Sequence, residues 1–212
     1  MKNDSQILIT ISRELGSGGG YIGRALSKEL NIKCYDKEIV SQAAKKLSAL
    51  EEDLSEREEK IPSFWESFFQ STVYTAPDIY LPAEALLPSQ EAIFKVQSEI
   101  ITHIADNKDS AIIIGRCGAH ILNTYQNHIS FFFSADIKDR IERLIKLYGI
   151  SKEKALEMIK ESDDQRERYH SRLTDKEWKD VTKYDLAINT SKFDMDAIIP
   201  FILSYLKSIQ KI

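Results

Sequence analysis

Four of the five residues from Gly16 to Gly20 are glycine, inside the stretch "ITISRELGSGGGYIGRALSKEL" that runs from Ile9 to Leu30. A chain with so little side chain can bring peptide N–H groups against an oxygen-rich anion, and the positive end of a following helix dipole adds to them. Gly16, Gly18, Gly19 and Gly20 are therefore candidate phosphate-binding positions, with the Ser17 hydroxyl as a further donor and Arg13 and Arg24 as the nearest cations. Tight packing alone is the plainer explanation, and so many glycines at one junction count against it. Two registers fit. Gly18, Gly20 and Gly23 satisfy G-x-G-x-x-G with Asp36 downstream, as in a dinucleotide site; alternatively, Gly23 and Arg24 fall in the G-K slots of G-x-x-x-x-G-K-[ST], with Ala25 where the hydroxyl belongs. A second cation, Arg116, directly follows the apolar run "SAIIIG", at the carboxyl end of a strand, where open α/β sheets bind ligands.

The elements that must hold these residues follow from periodicity. "ILITIS" (Ile7 to Ser12) reads as a buried parallel strand, and from Tyr21 the residues Ile22, Ala25, Leu26 and Leu30 recur at helical spacing. Further strands are predicted at Ile32 to Asp36, Ser110 to Gly115, His128 to Ser134 and Tyr184 to Thr190. Helices are predicted at Lys37 to Lys46, Glu91 to Ala105, Ile137 to Leu147, Lys152 to Arg168 and Met195 to Ile209. The alternation predicts a doubly wound α/β sheet of five mainly parallel strands. Residues 48–89 break the rhythm with the charge run "EEDLSEREEK" and then aromatics among prolines, and are expected to form an inserted lobe. Its stretch "FWESFFQSTVY" (Phe64 to Tyr74) fits the lobe's own core better than a dimer patch or a substrate wall.

The chain has 212 residues, enough for a single domain with a substantial core. Its net charge of −4 supplies no global field toward nucleic acid or anionic lipid, and no apolar run reaches membrane-span length. Cys34 and Cys117 lack metal-like spacing and are expected to be packed thiols in a reducing, cytoplasmic setting. Oligomerisation is left open.

Six segments in order resemble the cytidylate kinase-like family, a branch of the P-loop nucleoside monophosphate kinases. They are "ISRELGSGGG", "YDKEI" (Tyr35 to Ile39), "IIIGRCGAHIL" (Ile112 to Leu122), "DIKDRIERLIKLYGIS" (Asp136 to Ser151), "DDQRERYHSRLTDKEW" (Asp163 to Trp178) and "YDLAINTS" (Tyr184 to Ser191). The resemblance implies one domain with its core in 1–47, 90–150 and 184–212, an acceptor-binding insert at about 48–89 and a helical lid at about 151–183. It implies phosphoryl transfer from ATP with Mg²⁺ to CMP or dCMP, and small-molecule nucleotides as the partners. By the same resemblance Arg116 grips the acceptor phosphate, Arg166 reaches the donor from the lid, and Arg140, favoured over Arg143, lies near the donor. Asp36 and Gln97 belong to the acceptor site, with Phe94 either beside them or in the core; Asn189, Thr190 and Ser191 border the adenine. Tyr169, Lys176 and Trp178 match the lid without an assigned chemistry.

The chain departs from the family's P-loop pattern. Gly19 stands where the lysine belongs, Gly20 where the magnesium-binding hydroxyl belongs, and Ile114 where an acid precedes the G-R pair. Mg²⁺ is then expected to be held mainly by nucleotide oxygens and water, with Asp136 or Asp163 nearby. Losing a well-placed cation from such a site costs about 10³ or more in rate, judged from arginine-finger effects. Two rivals follow: a nucleotide-binding regulatory module of the same fold without turnover, and a dinucleotide-dependent oxidoreductase.

Overall fold

The computed structural model of the chain describes residues 6–36, 38–39, 41–43, 45–46, 89–209 and 211–212. The insert expected at 48–89 lies, up to residue 88, outside the described residues, as does part of the helix expected at Lys37 to Lys46. Two compact units divide the chain, one formed by Met1–Asp36 with Ile101–Ile212, the other by Lys37–Ile100.

In the first unit the run LITISR forms β1 (Leu8–Arg13), buried on both faces as its apolar composition requires. Gly18, left-handed at φ 87°, turns the chain into α1 (Gly19–Leu30), which buries Ile22, Gly23 and Leu26 and closes at a left-handed Asn31. β2 (Lys33–Tyr35), α2 (Gln90–Asp106), β3 (Ala111–Ile114) and the short α3 (Gly118–Ile121) follow. Then come β4 (His128–Ser134), α4 (Ile137–Tyr148), α5 (Lys152–Thr174), β5 (Leu186–Asn189) and α6 (Met195–Ser208). α2 begins in the second unit and ends in the first.

The strands pair in the order β2-β3-β1-β4-β5, every pairing parallel. Ile7, Ile9 and Ile11 meet Ile112 and Ile114 of β3 and Ile129, Phe131 and Phe133 of β4 on one face, where Ile22 and Leu26 of α1 and Ile198, Ile202 and Leu206 of α6 cover them. On the other face α3 comes so close that a Cβ on Gly118 would lie 3.2 Å from side-chain carbons of both Thr10 and Ile113. Phe132 packs there against Trp178 and Tyr184, with ring centroids 5.7 and 5.1 Å away. Helices thus cover both faces. Because every strand runs the same way, the residues after β1, β2, β3, β4 and β5 gather at one end of the sheet.

The elements differ from expectation in several places: β2, β3 and β5 are shorter than the stretches predicted for them, β5 covering only Leu186–Asn189. α5 runs on to Thr174 because Asp175 takes the left-handed capping conformation, φ 53°, without a glycine to announce it. The helix α3 is a single turn, too short to leave a periodic signature.

Candidate functional site

Between Glu14 and Gly18 each backbone carbonyl has a donor. Glu14 O accepts from the Ser17 hydroxyl at 2.8 Å and from Ser17 N at 3.3 Å, and Gly18 O accepts from Ile22 N at 3.0 Å. Leu15 O accepts from Arg140 Nε at 2.6 Å, Gly16 O from Arg143 Nη1 at 3.2 Å, and Ser17 O from the Thr190 hydroxyl at 2.8 Å. With the carbonyls held on the protein side, the N–H groups of Gly16, Gly18, Gly19, Gly20 and Tyr21 have no acceptor among the described residues. A row of unpaired N–H groups at a helix N-terminus is an anion cradle. Gly16, at φ 80°, could not carry a side chain here, since its Cβ would stand 2.9 Å from Arg140 O.

Three guanidinium groups of the same unit couple electrostatically with one another. Arg13 comes from the end of β1, Arg116 from the turn after β3, and Arg166 from α5. Burial pushes Arg13 below the usual arginine range, and Arg166 and Arg116 add to the push against the pull of Asp36, whose carboxylate lies 3.6 Å away. Burial likewise lowers Arg116 and Arg166, with Tyr169 the leading group raising the former and Asp163 the latter. Guanidinium groups do not give up their proton in proteins, so burial leaves these charges in place and poorly solvated, a setting that favours an incoming anion. Arg116 Nε and Arg166 Nη1 are buried with no hydrogen-bond partner among the described residues, although Asp163 Oδ1 is 3.5 Å from the latter. Gly115, Arg116 and Cys117 are all left-handed, at φ 74°, 56° and 52°, a run that only glycine adopts freely. Burial pushes the Cys117 thiol up to about 12, so it stays protonated; Cys34 is also a free thiol.

Arg140 sits below the loop. It is 5% exposed and, beyond Leu15 O, its Nη2 reaches Asp163 Oδ2 at 2.5 Å and its Nη1 lies 3.2 Å from Glu14 Oε2. Asp163 Oδ1 in turn accepts from Leu15 N at 3.0 Å. Arg143, one turn later, also donates to the Thr190 hydroxyl at 2.9 Å, so both arginines of α4 hold loop carbonyls. Glu14, which also pairs with Lys179 at 3.0 Å, is a member of this network that sequence reasoning passed over. The arginine spacing on α4, directly after a strand, was its one available signal. Ser17 is fully buried, its hydroxyl on Glu14 O; Thr190 is equally buried. Asn189 donates to Asp136 Oδ1 at 2.9 Å, the Ser191 hydroxyl accepts from Asp136 N at 2.8 Å, and Lys192 pairs with Asp136 Oδ2 at 3.1 Å. Arg24 is exposed. Gln97, buried, and Phe94, half-buried, stand on the first half of α2, in the second unit.

The donor set does not fit a protein-held magnesium ion. Asp163 is engaged by Arg140, Arg166 and Leu15 N, Asp136 by Asn189 and Lys192, and the described residues contain no group of three acidic, His or Cys side chains suited to a metal. Nor, among the described residues, is any helix long and apolar enough to cross a membrane.

A five-stranded parallel sheet flanked by helices, with a glycine loop leaving its central strand, is the fold of the shikimate kinase-like P-loop kinases. The shikimate kinase of Bacteroides thetaiotaomicron superposes with a TM-score of 0.51 over 96% of this chain and 98% of that one, at 12% identity, a likeness of fold alone. The chain belongs to the cytidylate kinase-like family, whose model matches residues 8–192. A cytidylate kinase of Methanocaldococcus jannaschii is 26% identical over 104 residues, 48% of this chain and 58% of that protein, so the match spans little more than half of the relative. An uncharacterized protein from Eubacterium ventriosum has a similar structure, with TM-score 0.70 and 27% identity over 96% of this chain and 99% of its own.

Proposed function

We propose that the chain is an ATP-dependent nucleoside monophosphate kinase that phosphorylates CMP or dCMP. The carrying observation is the row of loop N–H groups without an acceptor among the described residues, in the unit that also couples Arg13, Arg116 and Arg166 electrostatically, the last two with orphaned nitrogens. In the transfer, an oxygen of the acceptor phosphate attacks the γ-phosphorus of ATP, the bond to the β–γ bridging oxygen breaks, and ADP leaves. Positioning and charge do most of such work. Gly16, Gly18, Gly19 and Gly20 bind the donor phosphates through their N–H groups, with Ser17 shaping the turn. Arg166 touches the donor from the lid at 151–183, Arg116 holds the acceptor phosphate, and Asp36 serves the acceptor. Asn189, Thr190 and Ser191 border the adenine. Arg140 acts through the loop as a positioning residue. Magnesium accompanies the nucleotide on phosphate oxygens and water.

Incubation with ATP, Mg²⁺ and a panel of nucleoside monophosphates, followed by chromatography, tests the proposal: CDP or dCDP with matching ADP is expected. ATP binding without any diphosphate product favours the second reading, a nucleotide-binding regulatory module, which the glycine at the lysine's position supports. A dinucleotide-dependent oxidoreductase has less support, because β1 lies between β3 and β4 here and beside β2 in the dinucleotide-binding order.

A further inference from the structure

Gly19, the residue at the position of the P-loop lysine, faces another side chain. A Cβ there would lie 2.6 Å from Arg13 Cβ, 3.0 Å from Arg13 Cγ and 3.3 Å from Phe133 Cδ2. The two Arg13 atoms are the root of its side chain, fixed by β1, so no rotation of a flexible end relieves the overlap. From that root Arg13 runs across the carboxyl edge of the sheet to Gly115, where an added Cβ would overlap its Nη1. Glycines from two different strand-to-helix turns thus bound the path of one arginine. Its head lies beside Asp36 and is coupled to Arg116 and Arg166, each of which has a nitrogen without a hydrogen-bond partner among the described residues.

We infer that Arg13 supplies, from the strand beneath the loop, the polyphosphate-binding cation that an ordinary P-loop supplies from its lysine, and that position 19 is glycine because Arg13 fills the space. The inference rests on the nucleotide-binding reading above and adds the residue that replaces the missing ammonium group. A guanidinium suits the exchange, since its planar fork can give two parallel hydrogen bonds to phosphate oxygens. Asp36 keeps it oriented before an anion arrives. Arg24, exposed and with its Nη1 3.5 Å from where a Gly20 Cβ would stand, is the competing candidate.

The test is calorimetric binding of ATP, with AMP measured by competition, to the full chain and to variants whose melting temperatures show them folded. Arg13→Met keeps the stem and removes the head; Arg13→Gln serves where that variant does not fold. Loss of one charge-assisted contact predicts about 10- to 100-fold weaker ATP binding with AMP affinity changed less than about threefold. Gly19→Lys alone is expected to weaken ATP binding through the clash with Arg13, and Arg13→Ala/Gly19→Lys to bind ATP more tightly than Arg13→Ala. Unchanged ATP affinity in Arg13→Met, an equal loss for ATP and AMP, or a loss carried by Arg24→Ala in its place overturns the inference and leaves the nucleotide reading standing. A folded wild-type chain that binds neither ATP nor AMP overturns both.

Discussion

Arg140 joins Leu15 O, Asp163 and Glu14 at a place almost closed to water, so its removal leaves two carboxylates facing each other across a buried gap. Breaking a buried ion pair from one side costs about 3–5 kcal/mol, and Arg140→Met is expected to destabilise the chain by that order in urea unfolding. Arg116 and Arg166 sit differently: burial opposes the charge of both, the cations Arg116 and Arg140 add to it at Arg166, and each has a nitrogen without a hydrogen-bond partner among the described residues. Arg166→Met is therefore expected to weaken ATP binding while changing stability by less than about 1 kcal/mol, because Asp163 retains Arg140. Calorimetry and urea unfolding on one preparation check both halves. Equal stability losses in Arg140→Met and Arg166→Met would show that the two residues do the same work.

At the scale of the element, α1 lies so close on the sheet that a Cβ at Gly23 would stand 2.7 Å from Ile114 Cδ1 and 3.0 Å from Ile11 Cδ1. Gly23→Val overpacks that contact and is expected to cost about 1–3 kcal/mol by thermal or urea unfolding. β4 adds a pH dependence. His128 shares a 2.7 Å hydrogen bond with Thr10 Oγ1, and burial pushes its imidazole down to about 4, against the pull of Asp185. The unfolded chain takes up a proton near pH 6.5 that the folded chain resists, so this contribution to stability is full above pH 6.5 and is lost as pH falls toward 4. His128→Gln is expected to flatten the stability profile in that window, by roughly 2–3 kcal/mol at its acid end. These elements also show what the sequence could tell. The strand, glycine turn and helix from Leu8 to Leu30 were legible because their signals are local: an apolar run, a glycine cluster, apolar residues at helical spacing. The brace beneath the loop was not, because Arg140 meets a backbone carbonyl 125 residues away and an acceptor carbonyl has no residue type. Arg143 was for the same reason set behind Arg140, although both hold the loop.

Across the whole molecule, a net charge of −4 coexists with a local convergence of Arg13, Arg116 and Arg166. The convergence follows from strand order: β1 lies between β3 and β4, which brings the ends of β1 and β3 side by side, and periodicity alone does not fix that order. The cations are half-buried, so ATP affinity is expected to fall with ionic strength less steeply than for exposed charges, by less than about tenfold between 50 and 500 mM salt, on titration calorimetry. The most direct measurement of the phosphate cradle is the backbone amide spectrum of ¹⁵N-labelled protein during titration with ATP. The account predicts that the amide resonances of Gly16, Gly18, Gly19 and Gly20 shift together and saturate with one dissociation constant, and that Arg166→Met weakens that constant. Glycine amides that stay in place while ATP binds elsewhere, or at no concentration binds at all, would contradict it.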